Sequence, residues 1–205
     1  IAISWIAAPA QAVSISIGGP GSSCATCQGA SYTLSYSGSA LPDADPLHET
    51  FRITLAIDTS TLSLPGAVAI DAAAIKVSAS VFASALFAAP GGVAKWTLVP
   101  GGIAAGGCSG SGSGFDCADW IAAGPGTPVG GTVSFVFDQT VSNGALFAEL
   151  EGSSIKVRYV NADGRKVGDL VSESLTGSAP VPEPTAALVF AAALAVIGSS
   201  ARRAR

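Results

Sequence analysis

Residues Thr50–Ile57 read TFRITLAI, and their strict alternation is the strongest constraint on how this chain can fold. Phe51, Ile53, Leu55 and Ile57 fall on one face at period two, with Arg52 and Thr54 on the other, as in a strand buried on one side. The signature recurs. Val13–Ile17 alternates, and Tyr32–Tyr36 puts both tyrosines and Leu34 on one face. Lys95–Val99, Thr132–Phe137, Ile155–Val160 and Arg165–Leu175 follow, with Ala145–Leu150 as a further candidate. Between them stand turn formers such as Gly18-Gly19-Pro20-Gly21, Pro90-Gly91-Gly92 and Pro100-Gly101-Gly102. Asn161-Ala162-Asp163-Gly164 predicts a hairpin, because Asp-Gly reaches positive φ at little cost. Many short strands without a sustained 3.6-residue period predict an all-β fold, a single β-sandwich with a barrel as the alternative.

Two stretches are less plain. From Ala67 to Ala89 the alanines favour helix, while Ile75-Lys76-Val77-Ser78-Ala79-Ser80-Val81 alternates. Strands are predicted near Ala74–Val81 and Phe82–Ala88. Gly106–Gly114 (GGCSGSGSG) predicts a flexible loop between two cysteines, with Phe115, Trp120 and Ile121 anchoring its exit to the core.

Only 12% of residues are charged, against a typical fraction of about 25%. Between Val13 and Ala179 lie seven Lys/Arg (ten less three terminal arginines) and thirteen Asp/Glu (fourteen less Glu183), a balance of −6. An acidic body argues against nucleic acid as a partner, since phosphate binding needs clustered cations. Lys156, Arg158, Arg165 and Lys166 form the largest positive group, expected to be a solvated face.

Both ends carry addresses. Ile1–Ala8 is apolar and Ala10-Gln11-Ala12 has the small-x-small form of a signal-peptidase site, so residues 1–12 are expected to be the remnant of a signal peptide. At the other end, Val181-Pro182-Glu183-Pro184 precedes the uncharged run Thr185–Ser200, and Arg202, Arg203 and Arg205 follow. The prolines break regular structure, the run has no charge to keep it from lipid, and the arginines favour the anionic cytoplasmic face. This order resembles the PEP-CTERM sorting signal of exported bacterial proteins. The resemblance implies a precursor held in the cytoplasmic membrane until an exosortase-type enzyme acts near Pro182-Glu183-Pro184. Thr185–Ala201 is short against the roughly 20 residues of a comfortable span, which suits a transient hydrophobic helix better than a permanent anchor. The body is similar to the extracellular domain of some PEP-CTERM proteins through Gly101-Gly102, Gly107–Cys117 and Ser154–Gly168. That implies a secreted or surface role without an assigned activity. The expected organisation is therefore residues 1–12, a β-sandwich over 13–176, a linker with the Pro-Glu-Pro motif over 177–184, and a transmembrane sorting segment with a basic tail over 185–205.

The cysteines agree with export. Cys24 with Cys27 and Cys108 with Cys117 form two local pairs, expected to be disulfides. A redox CxxC should open a helix, whereas Cys27 is followed by the alternating Ser31–Ser37. A four-cysteine zinc site is the competing reading, and the eight residues between Cys108 and Cys117 exceed the usual ligand spacing.

Chemistry is sparse. The single histidine, His48, excludes HExxH and multi-histidine metal sites. There is no G-x-S-x-G and no phosphate-binding loop. Glu149 with Glu151 and Asp116 with Asp119 are the carboxylate pairs a hydrolase would need. Calcium is the cofactor to consider, at Asp43, Asp45 and Glu49 or at Asn161, Asp163 and Asp169, where oxygen ligands cluster on loops. Trp96, Trp120, Tyr32, Tyr36 and Tyr159 could form a sugar platform. No catalytic, cofactor-binding or metal residue is assigned. The expected function is an exported, non-enzymatic surface or matrix protein. A module binding exopolysaccharide is the rival, and a hydrolase the third reading.

Overall fold

A computed structural model describes residues 13–36, 40–42, 45–77, 80–142, 150 and 152–175. Among these residues eleven strands carry the fold: β1 (Val13–Gly18), β2 (Ser31–Tyr36), β3 (His48–Asp58), β4 (Ala69–Lys76), β5 (Val81–Ala88), β6 (Trp96–Ala104), β7 (Gly107–Trp120), β8 (Thr127–Pro128), β9 (Thr132–Ser142), β10 (Ser154–Val160) and β11 (Lys166–Ser174). The first sheet runs β1-β2-β3-β9-β5 and the second β11-β10-β4-β7-β6, with the two-residue β8 added to β4. Every pairing is antiparallel. Two sheets sharing one core make the chain a β-sandwich, not a barrel.

Alternation in sequence became burial in space. On β2 and β3 the predicted faces (Tyr32, Leu34, Tyr36; Phe51, Ile53, Leu55, Ile57) are buried. They meet Ile70, Ile75, Ile155, Val157 and Tyr159 of the second sheet across the core. The hydroxyls of Tyr32 and Tyr159 bond at 2.6 Å within it, joining β2 to β10 between the sheets. Burial pushes the Tyr32 phenol up to about 12, and Tyr159 upward as well.

The second sheet differs from the expected strands in three ways. First, β4 begins at Ala69 and ends at Lys76, and Val81 opens β5 rather than closing β4. Second, β6 continues through Pro100-Gly101-Gly102 to Ala104. An edge strand tolerates a proline because no neighbour needs its missing N–H. Third, the Gly/Ser run is not a flexible loop but part of β7, the return arm of a β6–β7 hairpin.

That hairpin does not stay flat. Register slips between Pro100 and Gly102 and again before Ile103, and Cys108 bonds Cys117 with their Cα atoms 5.8 Å apart. The far end therefore turns back across the sheet's outer face. There Ile103 and Cys108 cover a second small core of Ala72, Ala74, Phe115 and Cys117. Bulkier residues at 72 and 74 would meet the returning arm. Of the expected anchors, Phe115 is buried in this outer cluster, Trp120 is half-buried, and Ile121 is 60% exposed. On the chain-entropy account the disulfide contributes about 2–3 kcal/mol. Cys24 and Cys27 are also bonded, across a short 3-10 turn.

Asn161–Gly164 forms the expected hairpin turn, with Asn161 Oδ1 accepting the N–H groups of Asp163 and Arg165. Ala145–Leu150 lies outside the described residues except for the buried Leu150. The C-terminal hydrophobic helix and residues 1–12 lie outside them altogether.

Candidate functional site

The candidates that fall among the described residues have definite places, and most do not form sites. Asp116 and Asp119 are three apart on β7 and face opposite ways. Asp116 pairs across from Ile75 and enters the space between the sheets. Its Oδ2 accepts Ser84 Oγ at 2.6 Å and Gln139 Nε2 at 2.8 Å. Burial pushes its carboxyl up, against these two bonds. Asp119 lies on the outer side, opposite Ala72, and accepts the backbone N–H of Cys108. Two carboxylates on opposite faces of one strand cannot flank one bond, so this pair is excluded as a glycosidase couple. Glu149 and Glu151 lie outside the described residues.

The aromatic candidates do not form a platform either. Trp96, Tyr32, Tyr36 and Tyr159 are buried. Trp96 stands edge-on to Trp120, with rings 5.1 Å apart at 79°, and its indole N–H is spent on the Pro90 carbonyl. The core consumed these rings because an inter-sheet space needs large side chains.

Among the described residues no group of three or more His, Cys, Asp or Glu side chains could hold a metal ion. Asp45 accepts Leu47 N–H and His48 Nδ1, and Asp169 accepts Lys166 Nζ. Asp43 is outside the described residues. Residues Val181–Pro184 and Arg202, Arg203 and Arg205 lie outside them too. No described helix is long and apolar enough to cross a membrane.

The expected solvated cations include one that is not solvated. Arg158 is 7% exposed, and its Nη1 lies 3.0 Å from Asp71 Oδ2. The returning hairpin is the lid: a Cβ on Gly107 (φ +114°) would sit 2.8 Å from Asp119 Oδ1 and 3.3 Å from Arg158 Nη1. Burial holds the Asp71 carboxyl at about 6 against an ordinary 3.8, with Arg158 lowering it and Asp119 raising it. Between these values the folded chain keeps a proton that the unfolded chain has released. The contribution of Asp71 to stability is therefore greatest below about pH 4, falls as pH rises towards 6, and is flat above. In urea titrations from pH 4 to 7, Asp71→Asn should remove this downward slope; an unchanged slope would assign it elsewhere.

The two sheets thus have unlike outer faces. The second is roofed by its own hairpin, and among the described residues no such arm covers the first. On the outer face of the first, Ser16 and Thr33 hydroxyls bond at 2.7 Å, Thr50 and Thr140 at 2.9 Å, and Arg52 forms a two-pronged pair with Asp138. At its β5 edge stand two large exposed rings, Phe82 (72%) and Phe87 (55%), which the sequence pattern did not single out. The signal available was a pair of phenylalanines next to the two ends of an Ala-rich strand.

No family model matches the chain, and no curated protein matches it either. Among solved structures it is similar to an uncharacterized protein from Nocardia farcinica with an immunoglobulin-like fold. That likeness has 18% identity, 71% of this chain and 87% of that one covered, and a TM-score of 0.39. The sandwich architecture follows from the strand pairing of the two sheets.

Proposed function

We propose that this chain is an exported bacterial surface or extracellular-matrix protein, non-enzymatic, whose precursor is sorted through a PEP-CTERM signal. The reading is carried by the order Val181-Pro182-Glu183-Pro184, apolar run, and Arg202, Arg203 and Arg205. Each part has its own physical role in arresting a chain at a membrane and presenting an extended segment to a processing enzyme. Two disulfides support an oxidising compartment. A domain stapled in this way, with few charges and a roofed second sheet, suits persistence outside the cell. Export would proceed through the N-terminal segment, the exosortase-type enzyme would act near Pro182-Glu183-Pro184, and the sandwich would remain as the mature body.

Cell fractionation with intact-mass measurement tests this in a host carrying such an enzyme. Wild type should reach the surface or medium at a mass lacking the segment after the motif. A Pro182→Ala/Glu183→Ala/Pro184→Ala variant should stay in the membrane fraction at the longer mass. If the variant is processed and located like wild type, the sorting reading fails.

A further inference from the structure

The outer face of the first sheet departs from ideal geometry at two points, both on β5 and both at a phenylalanine. The β5–β9 register shifts between Val81 and Ala83, and again between Leu86 and Ala88. Phe82 and Phe87 are the residues passed over. A bulge re-aims the extra side chain, and here each turns a ring to the outside, where Phe82 is 72% and Phe87 55% exposed. An edge strand could be blunted by a bulge alone. Neither blunting nor packing calls for a large ring at both bulges.

Each ring is held from β3. His48 stacks on Phe82 with centroids 4.4 Å apart at 27°, and its Nδ1 is fixed at 2.8 Å by Asp45. The Arg52 guanidinium lies 3.3 Å over the centre of Phe87, and Asp138 clamps it through Nε and Nη2. His48 and Arg52 are four residues apart on one strand, so the two ring supports are about 14 Å apart. Between them lies the Thr50–Thr140 hydroxyl pair. The result is two braced aromatic surfaces with hydroxyls between them, on a face whose Arg52 is already neutralised by Asp138.

We infer that this face is a binding site for a neutral carbohydrate chain, with Phe82 and Phe87 as stacking platforms. A sugar chain offers C–H faces to the rings and hydroxyls to the threonines in between, so neither kind of group is buried without a partner. An apolar peptide would cover the rings but desolvate the hydroxyls. An anionic polymer would need a cation, and on this stretch Arg52 is committed to its own carboxylate. The site differs from the tryptophan and tyrosine set considered from the sequence, and it does not depend on the sorting reading.

Affinity electrophoresis of the full chain tests it, with disulfides intact and in a polyoxyethylene detergent, so that no glycoside detergent competes. Gels would contain hydroxyethyl cellulose, dextran, galactomannan or alginate. At least one neutral polymer should retard the wild type, and alginate should not. Phe82→Ala/Phe87→Ala should weaken that retardation about tenfold or more, with an unchanged urea midpoint showing that it still folds. Phe82→Tyr/Phe87→Tyr keeps the rings and should keep the retardation. Absence of retardation in every neutral gel overturns the inference, as does equal retardation of wild type and the alanine variant, or retardation by alginate to the same degree. Sedimentation in parallel reads the competing occupant: a wild-type dimer that the alanine variant converts to monomer, without glycan binding, would make the patch a self-association surface and overturn the inference.

Discussion

Phe135→Ala should lower the folding stability by about 3–5 kcal/mol, enough at this size to reduce the melting temperature by roughly 10 °C. Phe135 is fully buried on β9 and belongs to the main core. Its ring meets Trp96 edge-on, 4.8 Å between centroids at 87°, and Trp96 in turn meets Trp120. Since Phe135 is in the first sheet and Trp96 in the second, this contact is one of the places where the sheets are held together. Truncation would leave a void bounded by two rigid sheets, and rings fixed in their own contacts cannot collapse into it. Urea unfolding with disulfides intact measures the effect as a shift in midpoint at constant slope. Phe87→Ala is the matched control: the ring is of the same size but more than half exposed, and the change should stay below about 1 kcal/mol. Equal losses for the two variants would mean that the core is not where the strand pairing places it.

Arg158→Met should cost about 3–5 kcal/mol at pH 7, although it replaces a charged side chain by an apolar one of similar length. The cost belongs to Asp71. With Arg158 gone, its carboxylate stays under the hairpin without that counter-ion, and its Oδ1 is already a buried atom with no hydrogen-bond partner among the described residues. Asp71→Asn/Arg158→Met should recover most of the loss, because the uncompensated charge is then removed as well. Protonation offers the single variant the same escape, so its deficit should shrink between pH 7 and pH 5. A double-mutant cycle in urea at both pH values distinguishes this from simple loss of packing. If the double variant is as unstable as Arg158→Met alone, the arginine stem and not the ion pair is what the hairpin rests on.

The parts of the fold that could be read in advance are those where one face of a strand is buried and the other wet. There the composition has to alternate, as on β2 and β3. Where both faces are covered, alternation is no longer required. β4 carries Ala73 and Ile75 towards the main core and Ala72 and Ala74 under the returning hairpin, so its sequence reads as an alanine run compatible with helix. The β6–β7 hairpin misled for a related reason. Glycine and serine give no side-chain pattern, and their backbone pairing is invisible in the sequence. Pro100 looked like a strand terminator because nothing local shows that β6 lies at an edge.

By itself the sequence determined the all-β class, the turn at Asn161–Gly164, the two local cysteine pairs, and the ordered segments on which the sorting proposal rests. All of these depend on neighbours close in sequence, and short-range chemistry writes them directly into the chain. Only the tertiary structure decided that Asp116 and Asp119 face opposite ways, that Arg158 is buried, that Trp96 belongs to the interior, and that Phe82 and Phe87 stand braced on the outer face of the first sheet. The physical reason is the period of two. A single bulge or register slip reverses the side to which every later residue points, and bulges are fixed by pairing with strands distant in sequence, such as β5 with β9.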